Sequence, residues 1–227
     1  CLGPLDSRLL SRLEQVLDTY QRPYDARRPV VCFDERPCFL LGERVEGLAP
    51  QPGKAAKEHY AHSKHGSAVV LAAVEPLTGQ RLCQVHARRT KAEYTHFMHV
   101  LAARYPDAET ICVVQDNLNT HDVSAHDVSA FYEQLPAEQA HALARRFTWV
   151  YTPKSASWLN MIEIDFSALS RQCLNRRIAS RPELERQVLA WAQLRHAQRV
   201  PISWQFTTQQ ARQTPKRHYA KVNPQNA

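Results

Sequence analysis

The sequence predicts one α/β domain with a mixed five-stranded sheet that is flanked by helices on both faces. Short apolar runs rich in β-branched or aromatic residues alternate with segments of helical periodicity. Two consecutive runs are joined by a short turn, which favours a hairpin and therefore at least one antiparallel pair. The chain has 227 residues, of which 44% are hydrophobic, and this is enough to build a core.

The first predicted elements are a helix and a strand. Apolar residues recur at three- and four-residue spacing near the start of the chain: Leu9, Leu10, Leu13, Val16 and Leu17. They predict an amphipathic helix over about residues 5–20. The run "VVCF" predicts a compact strand that ends at Asp34. We expect residues 36–66 to be irregular, because glycine and proline punctuate this stretch.

The middle of the chain predicts a hairpin, a helix and a strand. The segments "SAVVLAAV" and "QRLCQVHA" form the hairpin around a Pro-Leu-Thr-Gly turn. Thr90, with Glu93 three residues later, predicts the cap of a helix that extends to Arg104. The run "TICVVQ" then predicts a strand that ends at Asp116.

The last third of the chain predicts three helices and the fifth strand. A helix is expected over about residues 128–145, followed by the strand "FTWVYT". Helical periodicity returns over residues 157–178. Ser180, followed by Pro182 and Glu183, predicts the start of a final helix to about Arg199. Residues 201–227 are expected to form a basic C-terminal tail.

Composition points to a polyanionic partner. Lysine and arginine total 29 against 22 aspartates and glutamates, a formal net charge of +7. A basic balance of this size favours nucleic acid. The longest apolar run, residues 68–74, is too short to cross a bilayer, so we expect no membrane partner. The six cysteines include no C-x-x-C pair, which favours a reducing cytosol.

Two predicted strands end in an acid, at Asp34 and at Asp116. If these strands are parallel neighbours, their carboxyl ends meet at one edge of the sheet and the two carboxylates share a crevice. Close carboxylates repel each other unless a cation lies between them, and oxygen ligands alone favour Mg²⁺ or Mn²⁺. The alternative is that each aspartate simply starts a turn or caps the next helix.

A third acid is available on the helix predicted over residues 157–178. Its apolar residues form one stripe, and Glu163 and Asp165 lie on opposite flanks of that stripe. Only one of them can face a given crevice, and periodicity does not choose between them. Both could also be ordinary acids at the solvated boundary of an amphipathic helix.

Three blocks of the sequence resemble a known family. The blocks "CFDE", "VVQDNLNTH" and "YTPKSASWLNMIEIDFSALSRQCL" are followed by "RRI" and "WQFTTQQAR". In this order they resemble the catalytic half of bacterial insertion-sequence transposases of the IS-six-thirty family, which are related to the mariner elements. The resemblance covers about residues 20–219.

The resemblance implies a ribonuclease-H-like fold with a DDE triad of Asp34, Asp116 and Glu163. These carboxylates would hold two Mg²⁺ or Mn²⁺ ions for phosphodiester hydrolysis and strand transfer at the element's ends. Residues 26–200 would then be the catalytic domain, and residues 1–25 a linker helix from an N-terminal DNA-binding region. Double-stranded DNA as partner, a homodimer, and a bacterial cytoplasm with the protein at the nucleoid are the further expectations.

Six other residues are candidates for DNA contact. Asn117, Asn119 and His121 follow the second acid and would position a phosphate or a metal-bound water, although asparagine-rich turns also occur for conformational reasons alone. Lys154, Ser155 and Asn160 precede Glu163 and are expected to contact the DNA backbone. The four tryptophans are interpreted as packing residues.

A tandem copy of His-Asp-Val-Ser-Ala occupies residues 121–130, directly after the second acid. The family pattern has room for one copy, so we interpret the repeat as a duplication. We expect the first copy to form a loop and the helix to begin near the second. The alternatives to an active transposase are an impaired remnant that binds DNA non-specifically or dimerises, and a plain nuclease without strand transfer.

Overall fold

A computed structural model describes residues 6–43, 62–116, 128–154 and 156–213 of the chain. The strands within these residues are β1 (Val30–Glu43), β2 (His62–Glu75), β3 (Gln80–His86), β4 (Ile111–Gln115) and β5 (Phe147–Tyr151). The helices are α1 (Ser7–Tyr20), α2 (Lys91–Ala103), α3 (Ser129–Gln134), α4 (Ala137–Ala144), α5 (Ile162–Gln172), α6 (Arg181–Ala197) and α7 (Thr208–Gln213). A 3₁₀ helix, Ser157–Leu159, precedes α5. None of the described helices has the length and apolar character needed to cross a bilayer.

The five strands form one mixed sheet in the order β3-β2-β1-β4-β5. β2 pairs antiparallel with both β1 and β3, and β4 pairs parallel with both β1 and β5. The predicted hairpin is therefore present as β2 and β3. The predicted mixed five-stranded sheet is confirmed.

Side-chain alternation along the strands divides the core into two layers. On one face, Cys32 and Val114 pack with residues of α1, α5 and α6. On the other face, Val31 and Val113 pack with residues of α2, α3 and α4. Helices flank both faces, as predicted, and α5 covers the face on which the even-numbered residues of β1 and β4 lie.

β1 is much longer than the sequence predicted. The expectation that a strand ends at Asp34 and that residues 36–66 are irregular is wrong for residues 36–43 and 62–66, which pair as an antiparallel ribbon. Backbone pairing with β2 carries the strand through a polar, proline-bearing stretch that has no strand-like pattern of its own. β4 pairs with β1 only from Val30 to Cys32. Asp34 therefore lies where the sheet narrows from five strands to a ribbon.

Several helix boundaries also differ from the predictions. The helix expected over residues 128–145 is divided into α3 and α4, because Pro136 favours an extended conformation for Leu135, whose φ is −128° and ψ 154°. The helix expected over residues 157–178 is reduced to the 3₁₀ turn and α5. The predicted caps are in place, since Thr90 and Ser180 are the N-cap residues of α2 and α6.

The end of the duplicated segment is described from Val128 onward. α3 begins at Ser129, within the second copy, and Phe131 is fully buried against Tyr94, Phe147 and Trp149. The apolar face of this helix is therefore packed against the sheet as expected. The first copy lies outside the described residues, so the loop expected there stays a prediction.

Both ends of the described chain belong to the packed domain. Leu13, Val16 and Leu17 of α1 lie in the same core layer as α5. α7 packs on α1, where Thr208 donates a hydrogen bond to Asp18 at 2.6 Å and Arg212 pairs with Glu14. The expectation of a tail from residue 201 is therefore wrong for residues 201–213, which contribute buried side chains to the core.

We expect α1 to be required for stability. Leu17→Ala should lower the free energy of unfolding by about 2–5 kcal/mol, because Leu17 is fully buried. Gln15→Ala, on the exposed side of the same helix, should change it by less than about 0.5 kcal/mol. Urea unfolding of the two variants is the measurement, and equal midpoints would show α1 to be loosely attached.

Candidate active site

Three separate elements bring acidic residues to one face of the sheet. Asp34 follows Cys32 by two residues in β1, and Asp116 follows Val114 by two residues at the end of β4, so both point towards α5. The parallel pairing of β1 with β4 is as the sequence argument required. Glu163 lies in the first turn of α5, over this face.

The electrostatics of Asp34 show that the three carboxylates interact. Burial is the main cause that raises the pKa of Asp34 from 3.8 to about 7, and the negative charges of Glu163 and Asp116 contribute to the same rise. The Glu35 amide opposes this rise by donating a hydrogen bond to Asp34 Oδ1 at 2.7 Å. The site therefore concentrates more negative charge than its own hydrogen bonds offset.

This donor set fits a hard divalent cation. The three acids offer only carboxylate oxygens, which suit Mg²⁺ or Mn²⁺, and a cation between them would relieve the repulsion that acts on Asp34. Among the described residues no three carboxylate, imidazole or thiol groups converge closely enough to hold one ion together. The acids face one another across the crevice without forming a closed cage.

The structure separates the two acids of α5. Asp165 is buried and forms a bidentate ion pair with Arg81, with Nε to Oδ2 and Nη2 to Oδ1 both at 2.9 Å. The exposed fractions of the two side chains are 0% for Arg81 and 4% for Asp165. Glu163 is half-buried and acts on Asp34 instead. Glu163 is therefore the acid of α5 that faces the crevice.

Further contacts of Arg81 complete this buried pair. Arg81 Nη1 donates to the Gly79 carbonyl at 2.6 Å, and Nη2 donates to the Val200 carbonyl at 2.9 Å. Gly79 has a φ of +73°, and a Cβ there would lie 2.7 Å from the Val200 carbonyl oxygen, so glycine is required at this turn. The pair thus joins α5 to the β2–β3 turn and to the chain after α6.

The chain just before Glu163 is fixed by two polar side chains. Asn160 is fully buried and donates from Nδ2 to the Phe33 carbonyl at 2.8 Å, next to Asp34. The Tyr20 hydroxyl donates to the Leu159 carbonyl at 2.9 Å and accepts from the Met161 amide at 3.3 Å. Asn160 therefore anchors α5 to β1, a different role from the DNA contact that we expected.

Asp116 has a partner from the neighbouring strand. Thr152 follows β5, is fully buried, and donates from its hydroxyl to Asp116 Oδ1 at 3.3 Å. The Thr152 amide continues the sheet by donating to the Gln115 carbonyl at 3.0 Å. The end of β5 thus orients the second acid.

Of the remaining residues expected to contact DNA, only Lys154 lies within the described residues. Lys154 is exposed in the loop after β5, whereas Asn117, Asn119, His121 and Ser155 lie outside the described residues. Trp158 is 45% exposed and its ring packs on Phe206, so it is a packing residue at the surface and not in the core.

Two residues that shape the site, Arg81 and Thr152, were not predicted from the sequence. Arg81 is the one charged residue within a predicted strand of the hairpin, and this was the available signal. Nothing in the sequence marked Thr152.

The strand order is that of a ribonuclease-H-like domain, with Asp34 just beyond the point where β1 stops pairing with β4 and Asp116 directly after β4. Residues 29–185 match the family described as DDE superfamily endonuclease. The chain belongs to this family. No curated protein matches the sequence significantly.

Solved structures of a mariner transposase share the fold. The Mos1 mariner paired-end complex with Mn is 13% identical, with a TM-score of 0.56 over 99% of this chain and 64% of that chain. The Mos1 strand transfer complex is 13% identical, with a TM-score of 0.55 over 97% and 61% of the two chains. The chain therefore spans less than two thirds of those transposases. The ribonuclease-H-like fold is confirmed.

We expect Asp34 to make stability fall as pH rises, in metal-free buffer. Between about pH 4 and 7 the folded state holds a proton on Asp34 that the unfolded state has lost, so the cost of ionising it in the folded state accumulates over this window. The total is on the order of 4 kcal/mol. Asp34→Asn should remove this component of the pH dependence, and urea unfolding from pH 4 to 8 is the measurement. A variant with an unchanged pH profile would show that Asp34 is not desolvated.

Neutralising the two acids of α5 should have different effects on the free energy of unfolding. Asp165→Asn should lower the free energy of unfolding by about 3–5 kcal/mol, because it leaves the Arg81 charge buried without its partner. Glu163→Gln should leave it within about 0.5 kcal/mol of the original value or raise it, because Glu163 is half-buried among like charges. The reverse order in urea unfolding would reject our assignment of the two acids.

Proposed function

We propose that this chain is the catalytic domain of a DNA transposase of the IS-six-thirty type, which hydrolyses phosphodiester bonds and transfers strands at the ends of an insertion sequence. The gathering of Asp34, Asp116 and Glu163 on one face carries this proposal. The acids come from β1, β4 and α5, and the chain belongs to a DDE endonuclease family. We place its action in the bacterial cytoplasm, at the nucleoid.

In this proposal the three carboxylates hold two Mg²⁺ or Mn²⁺ ions. When bound, such ions activate a water or a 3′-hydroxyl and stabilise the leaving oxygen. Asp34 must lose its proton for the carboxylate to bind a cation, so the affinity of the site for metal should fall as pH drops below about 7. Thr152 keeps Asp116 oriented, and Asn160 keeps the start of α5 beside β1.

DNA is the proposed substrate, and a homodimer the proposed working form. The net charge of +7 favours a polyanionic partner. The neighbours of known structure include Mos1 paired-end complexes with Mn and with Mg. Lys154 is exposed beside the site and is proposed to neutralise a backbone phosphate. Asn117, Asn119, His121 and Ser155 remain proposed DNA contacts.

A second candidate is an impaired remnant that binds DNA non-specifically or dimerises without catalysis. One observation favours it: the acids of the described residues do not form a closed three-ligand cage. The duplicated segment begins five residues after Asp116, and in this candidate the added length displaces the second acid. The two candidates differ in metal-dependent cleavage and not in DNA binding.

We expect Asp116→Asn to abolish cleavage while the protein still binds DNA. The assay uses DNA that carries the terminal sequences flanking the chain's own gene, with Mn²⁺ or Mg²⁺ and with EDTA as control. The cleavage rate should fall by about a hundredfold or more, because the ions contribute several kcal/mol to the transition state. Asp107→Asn, an exposed acid in the turn after α2, is the matched control and should retain activity.

The products of the reaction with DNA distinguish the candidate functions. Metal-dependent nicking followed by joining to target DNA supports the transposase. Nicking without joining would identify a plain nuclease. DNA binding without any cleavage by the folded chain would overturn the active-enzyme proposal and support the impaired remnant.

A further inference from the structure

Arg36 lies on the same strand and the same face as Asp34. It follows Asp34 by two residues in β1, and its cross-strand neighbour in β2 is Val70, a residue of the α5-side core. Burial raises the pKa of the Cys38 thiol, and the positive charge of Arg36 opposes that rise. The guanidinium therefore lies on the α5 side of the ribbon, at the point where β4 no longer covers β1.

This guanidinium is only partly satisfied. Arg36 Nε is buried and has no hydrogen-bond partner among the described residues. The described ion pairs do not include Arg36, although the acids of the crevice lie on the same face. A buried donor on a charged group without a partner is unfavourable by itself, so a ligand that supplies an acceptor to this guanidinium would be stabilised there.

The three acids of the crevice and Arg36 favour ligands of opposite charge. The carboxylates of Asp34, Asp116 and Glu163 repel an anion unless cations lie between them, whereas the planar fork of Arg36 fits a phosphate through two parallel hydrogen bonds. A DNA strand running along the crevice would present its phosphates to both. Arg36 is thus suited to hold the strand beside the position where the acids act.

We propose that Arg36 binds a phosphodiester of the DNA strand that lies in the acid crevice and thereby positions the strand for reaction. This inference rests on the proposed function. The sequence did not mark Arg36 as a site residue, because residues 36–66 were expected to be irregular. The positive charge that meets the substrate is then built into the central strand, next to Asp34.

The first test measures DNA binding and needs no cleavage. A fluorescein-labelled duplex carrying the element's end is titrated in Ca²⁺ at several salt concentrations with the full chain and with Arg36→Met and Arg36→Lys. Arg36→Met should weaken binding and reduce the slope of log K against log salt by about 0.9, the value for one lost phosphate contact. Arg36→Lys should keep the slope but bind more weakly than the original chain, since a point charge lacks the fork.

Arg28→Met is the matched control for the loss of one charge. Arg28 precedes the same strand at its other end and is bound to Glu109, with Nε to Oε2 at 3.1 Å. We expect the salt slope of this variant to be unchanged. An equal reduction by Arg28→Met, or no reduction by Arg36→Met, would overturn the proposal.

Stability separates a DNA contact from a structural role. Without DNA, Arg36→Met should unfold at the same or a higher temperature, because it replaces a guanidinium whose buried Nε has no partner by an apolar side chain of similar length. A clear drop in Tm, restored in Arg36→Lys, would show that Arg36 supports the fold instead and would overturn the proposal.

Cleavage distinguishes failure of this inference from failure of the proposed function. If the original chain nicks DNA, Arg36→Met should raise KM severalfold. A single neutral methylphosphonate at the phosphate that Arg36 contacts should abolish this difference in KM between the two proteins. If the methylphosphonate and Arg36→Met act independently at every phosphate near the nick, the contact between Arg36 and DNA is rejected. The proposed function would not be affected by that result. If the original chain does not nick DNA, the active-enzyme proposal fails, while the salt slope still tests Arg36 as a phosphate ligand.

Discussion

The buried ion pair between Arg81 and Asp165 is the interaction on which the geometry of the site depends. Both side chains are almost completely removed from water, so each charge needs the other. The pair fixes the rotation of α5 about its own axis, because a turn of the helix would separate the two buried groups. With Asp165 directed at β3, Glu163 is directed at the opposite flank, towards Asp34. A contact remote from the crevice thus decides which acid enters it.

The unequal lengths of the strands decide where the crevice opens. β4 and β5 stop near the level of Asp34, whereas β1 and β2 continue as a ribbon beside α5. The carboxyl ends of the short parallel strands therefore lie against the side of a longer strand. Asp34 is partly buried within β1 and at the same time faces the open side of the crevice, which explains why its carboxyl feels both desolvation and the neighbouring charges.

The sequence predicted the parts of the fold that local patterns encode, including all five strands, the hairpin turn and the N-caps at Thr90 and Ser180. It failed where tertiary contacts determine the structure. Pairing with β2 extends β1 through residues without a strand pattern, and packing on α1 orders residues 201–213. The choice of Glu163 over Asp165 came from family resemblance, since periodicity treats the two flanks alike. Only the long-range partner, Arg81, supplies the physical reason.

The polar residues around the crevice divide into two groups with different consequences for the fold. Asn160, Thr152 and Arg81 satisfy their hydrogen bonds within the protein and hold the surrounding elements in place. Asp34 is an acid whose pKa is raised to about 7, mainly by burial, and Arg36 is a guanidinium with an unpartnered buried nitrogen. The burial of Asp34 among like charges and the unpartnered Arg36 nitrogen each lower the stability of the protein. In the proposed function a cation would meet the acids and a phosphate would meet the arginine, so that each group would gain a ligand of opposite charge.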